Sequence, residues 1–149
     1  MRQILVILIL LPVFAGTCYA GDGLISVKSQ YDVKTTADRL ETVLRDKGMT
    51  LFIRIDHAQG AQKVGKALRP TELVIFGNPG VGTPLMQSGQ TTAIDLPQKA
   101  LIWEDAAGDV WFTYNDPEYL VKRHGITGCD ENIQKIGKAL GNFATAATR

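Results

Sequence analysis

At 149 residues and 16.2 kDa the chain has room for one domain. Its composition, 45% hydrophobic and 21% charged with 15 Gly and 6 Pro, excludes wholesale disorder, collagen-like repeats and a disulfide-dense scaffold. Sixteen Lys and Arg against fifteen Asp and Glu leave a net charge of +1, which speaks against a partner held by bulk charge, so neither nucleic acid nor an anionic membrane surface is expected.

Met1, Arg2 and Gln3 make a short basic start to an apolar run over residues 4–15, broken only by Pro12, and Gly16-Thr17-Cys18-Tyr19-Ala20 follows. The run is too short for a bilayer, which takes roughly 20 residues. It reads as a secretory signal peptide over residues 1–20, cleaved after Ala20 to give a periplasmic or secreted chain with no stable membrane span. Cleavage removes Cys18 and leaves Cys129 alone, which forbids an internal disulfide. The absence of any C-x-x-C pair excludes covalent c-type haem, a thioredoxin-type redox motif and a cysteine zinc site.

In the mature chain, residues 24–30 alternate Ile25 and Val27 with Ser26 and Lys28, the pattern of a strand with one wet face. A helix follows, with a capping-box-like start at Thr35 to Asp38, a stripe of Ala37, Leu40, Val43 and Leu44, and Gly48 as its stop. Residues 51–56 read as a second strand, and residues 58–68 as a short helix weakened by Gly60 and Gly65 and ended by Pro70. The apolar run 73–76 is a third, buried strand opening into the Gly- and Pro-rich loop 78–84, after which Thr83 caps a helix that starts at Pro84. Residues 100–104 and 110–114 form a hairpin with Trp103 and Trp111 near its turn. A short helix starts at Asp116-Pro117. The last helix puts Ile133, Ile136, Leu140, Phe143 and Ala144 on one face behind Asp130 as cap. This order of elements predicts a single α+β domain over residues 21–149, with a mostly antiparallel sheet and helices on one face.

Chemistry-bearing candidates are few. His57 follows Asp56 at a predicted strand end, where a polar side chain reaches the sheet rim and an imidazole can move a proton near neutral pH; the alternative is a structural or merely exposed histidine. His124 is either a second site residue or a cation set against a helix C-terminus. With two histidines in the chain, no three-histidine zinc site is possible, and no metal site is expected. Asn78, Gly80, Gly82 and Thr83 could cradle a small ligand or anion with backbone N–H groups, or simply connect two elements. Neither phosphate-binding glycine motif is present. Glu104 at the hairpin and the polar tip of Tyr114 complete the candidates.

Six ordered words, Ile55-Asp56-His57-Ala58, Arg69-Pro70-Thr71, Phe76-Gly77-Asn78-Pro79 with Gly82-Thr83-Pro84-Leu85-Met86, Asp95-Leu96-Pro97, Trp103-Glu104-Asp105 and Arg123-His124-Gly125, resemble domain-of-unknown-function family 302. The resemblance runs from about Ile25 to Leu140. It implies a TATA-binding-protein-like β-α-β4-α domain with a curved antiparallel sheet, a homodimer, and no particular activity or cofactor. Three functions stay open. The first is a binding or sensing module of the envelope, its pocket lined by His57, the 78–83 loop and His124 and holding a small molecule, an anion or non-covalent haem. The second is an enzyme with His57 as general acid–base and Glu104 or His124 as helper. The third is a structural dimer with no ligand.

Overall fold

The computed structural model describes residues 23–149, so the leader read at residues 1–20 and its cleavage site lie outside the described residues. Five strands, β1 (Leu24–Lys28), β2 (Thr50–Asp56), β3 (Thr71–Gly77), β4 (Gln98–Glu104) and β5 (Val110–Asn115), make one antiparallel sheet in the order β1-β5-β4-β3-β2. The last four form a meander, because each is joined to the next by a connection that returns beside it. β1 closes the other edge by pairing with β5, Val27 opposite Phe112.

Opposed residues on neighbouring strands share a face. Val74 and Phe76 of β3, Ala100 and Ile102 of β4, and Phe112 and Tyr114 of β5 therefore point together, and all are buried. Over them lie α1 (Val33–Asp46) and α5 (Asp130–Thr148), side by side. Their contributions are Leu40 and Leu44 of α1 and Ile133, Ile136, Leu140 and Phe143 of α5. These are the positions a 3.6-residue period places on one face. The expected α+β layering, one antiparallel sheet with these helices against it, is the one observed.

Local chemistry moves several boundaries. α1 starts earlier than the Thr35 signal suggests, because the Asp32 carboxylate accepts the Thr35 N–H at 2.6 Å and caps the helix. That bond holds the Asp32 carboxyl below the ordinary carboxylate range. Asp130 is the first residue of α5 and not its cap; Cys129 occupies the cap position and makes no side-chain bond there. Arg39 of α1 fastens the far end of α5, donating to the carbonyls of Ala147 at 3.1 Å, Ala146 at 2.9 Å and Arg149, while its guanidinium lies over the Tyr31 ring. Cations at a helix C-terminus are favoured by the exposed carbonyls there.

α2 (His57–Lys63) is capped by Asp56, whose carboxylate accepts the Gln59 N–H at 2.8 Å. α4 (Pro117–His124) is capped by Asp116 and ends at Gly125, whose φ of 63° needs a glycine. α3 (Pro79–Ser88) corrects the expected start at Pro84. Asn78 is its cap, Pro79 its first residue, and Pro84 lies inside it. Asn-Pro at 78–79 carries the same start signal as Thr-Pro at 83–84, and the earlier one prevails because the Asn78 side chain takes the Gly80 N–H at 2.9 Å. A 3-10 turn (Gln90–Ile94) then leads into β4.

Arg54 stands on the helix-side face of edge strand β2, where an apolar residue would otherwise meet α1. It donates to Glu72 of β3 and to Asp38 and Glu41 of α1, at 2.6 and 3.1 Å for the last two. Burial alone would lower its pKa, but those three carboxylates raise it.

Candidate functional site

A break in the β2–β3 register borders a hollow at one end of the sheet. The pairing of Leu51 with Phe76 is followed by that of Ile53 with Ile75, so Phe52 is the extra residue of a β-bulge. Its ring lies over Gly77, where an added Cβ would stand 3.5 Å from the ring and 3.3 Å from Cβ of Pro97. Gly77 thus leaves room for Phe52 and Pro97 to flank the end of β3.

Between this end of the sheet, α3 and α5 is a cavity of about 470 Å³. That lies within the range of small-molecule sites, roughly 300–1,000 Å³. Phe76, Leu140 and Phe143 line its inner part, with the Phe76 and Phe143 rings edge to face at 5.9 Å. Met49, Phe52, Met86, Leu96 and Ile136 continue the apolar wall. The polar lining consists of Asn78, Thr83, Gln98, Asn132 and Lys135, with no carboxylate among it. Asn132 of α5 donates to the Val81 carbonyl of α3 at 3.1 Å and ties the two helices across the cavity. Two methionines and three phenylalanines give a wall that adapts to shape but offers no nucleophile or general base.

Of the residues singled out from sequence, Asn78, Gly82 and Thr83 line this cavity; Gly80 sits exposed in the same helix start. His57 lies elsewhere. Asp56 is opposite Glu72 on β3, six residues before Asn78 along that strand's direction, which is about 20 Å at the strand rise. His57, next to Asp56, is exposed. Glu104 is at that same far end: its N–H donates to Pro70 and its carbonyl accepts from Arg69. Tyr114 belongs to the core, edge to face with Phe112.

His124 ends α4 with its side chain only 5% exposed. Nε2 is 2.6 Å from Asp95 Oδ2, and Nδ1 shares a hydrogen bond with Thr91 at 3.0 Å, so both ring nitrogens are engaged. Arg123 reaches the other Asp95 oxygen at 3.4 Å. The histidine ties α4 to the 3-10 turn and to the Asp95-Leu96-Pro97 segment, of which Leu96 and Pro97 form cavity wall. Neither histidine lines this cavity: strand length separates His57 from it, and the His124 ring is turned to Asp95 and Thr91.

Sequence reasoning missed Phe52, Met86, Leu96, Gln98 and Lys135. Each reads as core or as solvated surface, and only the alternation lost at Leu51-Phe52-Ile53 hinted at a bulge. Among the described residues, no group of three or more His, Cys, Asp and Glu side chains could hold a metal ion, and no helix is long and apolar enough to cross a membrane.

Proteins named fluoride-specific ion channel resemble the chain. It is 48% identical over 104 residues to FluC 1 of Brucella suis biovar 1, a match covering 70% of this chain and 41% of that protein. The match to FluC 2 of Brucella melitensis biotype 1 is equally close and covers 38% of that protein. The chain thus spans about two fifths of the length of these curated relatives. In structure it resembles the uncharacterized conserved protein DUF302 from Bacillus stearothermophilus, with a TM-score of 0.76 at 18% identity, over 87% of this chain and all of that one. The pattern that defines the family described as "Domain of unknown function DUF302" matches residues 25–143, and the chain belongs to that family.

Proposed function

We propose that the protein is a small-molecule binding module of the cell envelope and that its site is the cavity between α3, α5 and the end of β3. The observation that carries this reading is a preformed hollow of about 470 Å³ with an apolar wall and a few polar groups, the usual make-up of a ligand site. Envelope placement rests on the leader-like segment at residues 1–20. The channel name of the relatives is not carried over, since the match covers about two fifths of them and an apolar wall does not suit a fluoride ion.

A homodimer is part of the proposal. Ile53, Ile55, Leu73, Ile75, Leu101, Trp103 and Trp111 share the face of the sheet turned away from α1 and α5, and Ile53 is half exposed. A second copy offers the same apolar face in return.

The site is tested with the fluorescent dye 1-anilinonaphthalene-8-sulfonate. The native protein should bind about one equivalent, and Ala139→Phe, which fills the cavity from α5, should abolish binding without loss of helix signal. Equal binding by the variant overturns the assignment of the site.

A further inference from the structure

Resting on that binding reading, we infer that the ligand is a single-tailed amphiphile with an anionic head, such as a fatty acid. The α5 wall of the cavity is polar at one end. Asn132, Lys135, Ile136, Ala139, Leu140 and Phe143 of α5 line it at spacings of three and four, so they form one stripe along the helix. From Asn132 to Phe143 the stripe runs about 16 Å at the helical rise. Lys135 is exposed and Asn132 half-buried at one end, whereas Leu140 and Phe143 at the other are buried, with buried Ile136 and half-buried Ala139 between them. The stripe therefore offers water and charge to one end of an elongated ligand and carbon to the other.

The head's charge follows from the lining. Lys135 is the one ionised group among the lining residues, which include no carboxylate. Its present partner is Glu131, 3.3 Å away one turn earlier on the helix, in a pair with both side chains largely exposed. Such a pair is worth little and gives way to a better acceptor. A cationic head would meet Lys135 unfavourably, and a neutral one would leave it unused. Phe76, Leu140 and Phe143 at the buried end offer the tail no hydrogen-bond donor of their own, which disfavours a second polar group against them.

The test is displacement of the bound dye at low salt by octanoate, decanoate, dodecanoate, dodecanol and dodecyltrimethylammonium. Dodecanoate should displace best, and affinity should rise by about fourfold for each methylene added from octanoate to dodecanoate. Lys135→Gln should weaken dodecanoate by about three- to fivefold and leave dodecanol unchanged. Dodecanol matching dodecanoate, or the Lys135→Gln protein binding dodecanoate as well as the native one, overturns the anionic head. Indifference to chain length overturns the tail. Dye bound in the cavity but displaced by none of the five would overturn the amphiphile and leave the binding module standing, whereas failure of the dye itself would remove both.

Discussion

His124→Ala and His57→Ala should separate cleanly in stability, although both remove one imidazole. At His124 the change strips Asp95 of a partner 2.6 Å away and Thr91 of another, in a place where the histidine side chain is 5% and the Asp95 side chain 14% exposed. Leaving a buried carboxylate without its hydrogen-bond partner costs roughly 1–3 kcal/mol or somewhat more. Asp95 keeps Arg123 at 3.4 Å and some water, so a loss of about 2–3 kcal/mol is expected. With a urea slope of about 1.5–2 kcal/mol/M, the unfolding midpoint should fall by about 1–2 M. Exposed His57 lies outside any such network, and its replacement should stay within about 0.5 kcal/mol. Urea titration followed by tryptophan fluorescence at pH 7 measures both. A double-mutant cycle with Asp95→Ala should show a coupling of at least about 1 kcal/mol with His124. If His124→Ala unfolds at the native midpoint, the tie between α4 and the cavity wall does not hold the fold, and the reasoning fails.

Stability should also fall in acid. Asp105 is held below the ordinary carboxylate range by the Trp111 indole and by backbone N–H groups, Asp38 by Arg54 and Lys34, and Asp32 by Thr35. A depressed native pKa means that the unfolded chain takes up protons first, so these contributions are complete above about pH 5 and disappear as pH drops through about 4 and below. Urea midpoints from pH 7 to pH 3 should show the decline, and Asp105→Asn should flatten it; a midpoint unchanged down to pH 3 contradicts the assignment. The protein over residues 21–149 should sediment as a dimer at micromolar concentration, and Ile53→Asp, on the exposed part of the uncovered sheet face, should shift it to monomer with its circular dichroism intact. A native chain that sediments as a monomer removes the dimer.

Much of the fold could be read from local pattern. α5 was legible because Ile133, Ile136, Leu140 and Phe143 keep a strict helical period, and the β4–β5 hairpin because apolar runs flank Asp105 to Asp109. Caps were less legible: Asp32 and Thr35 both satisfy the composition rule, and which one accepts the N–H depends on backbone geometry. Of the cavity, only Asn78, Gly82 and Thr83 could be read. Phe76, Leu140 and Phe143 have the hydropathy of core residues, and a void between them is a property of how helix and sheet meet. The histidines drew attention because an imidazole can move a proton near neutral pH, yet one lies at the end of β2 far from the cavity and the other is hydrogen-bonded to Asp95.

The position of β1 in the sheet has a kinetic consequence. β2, β3 and β4 each pair with the strand that follows in sequence, but β1 must find β5, with Ile25 opposite Tyr114 almost ninety residues away. Loop-closure entropy grows with the logarithm of that separation, by about 0.6 kcal/mol per doubling, so this contact is the most costly of the sheet to bring together. The meander and the helices packed on it can form first, with β1 docking last onto a finished edge. Amide protons of Leu24 to Lys28 should accordingly exchange through openings that leave β2 to β5 protected. The same order implies that a nascent chain emerging from its N-terminus carries β1 unpaired until nearly all of the domain has been made.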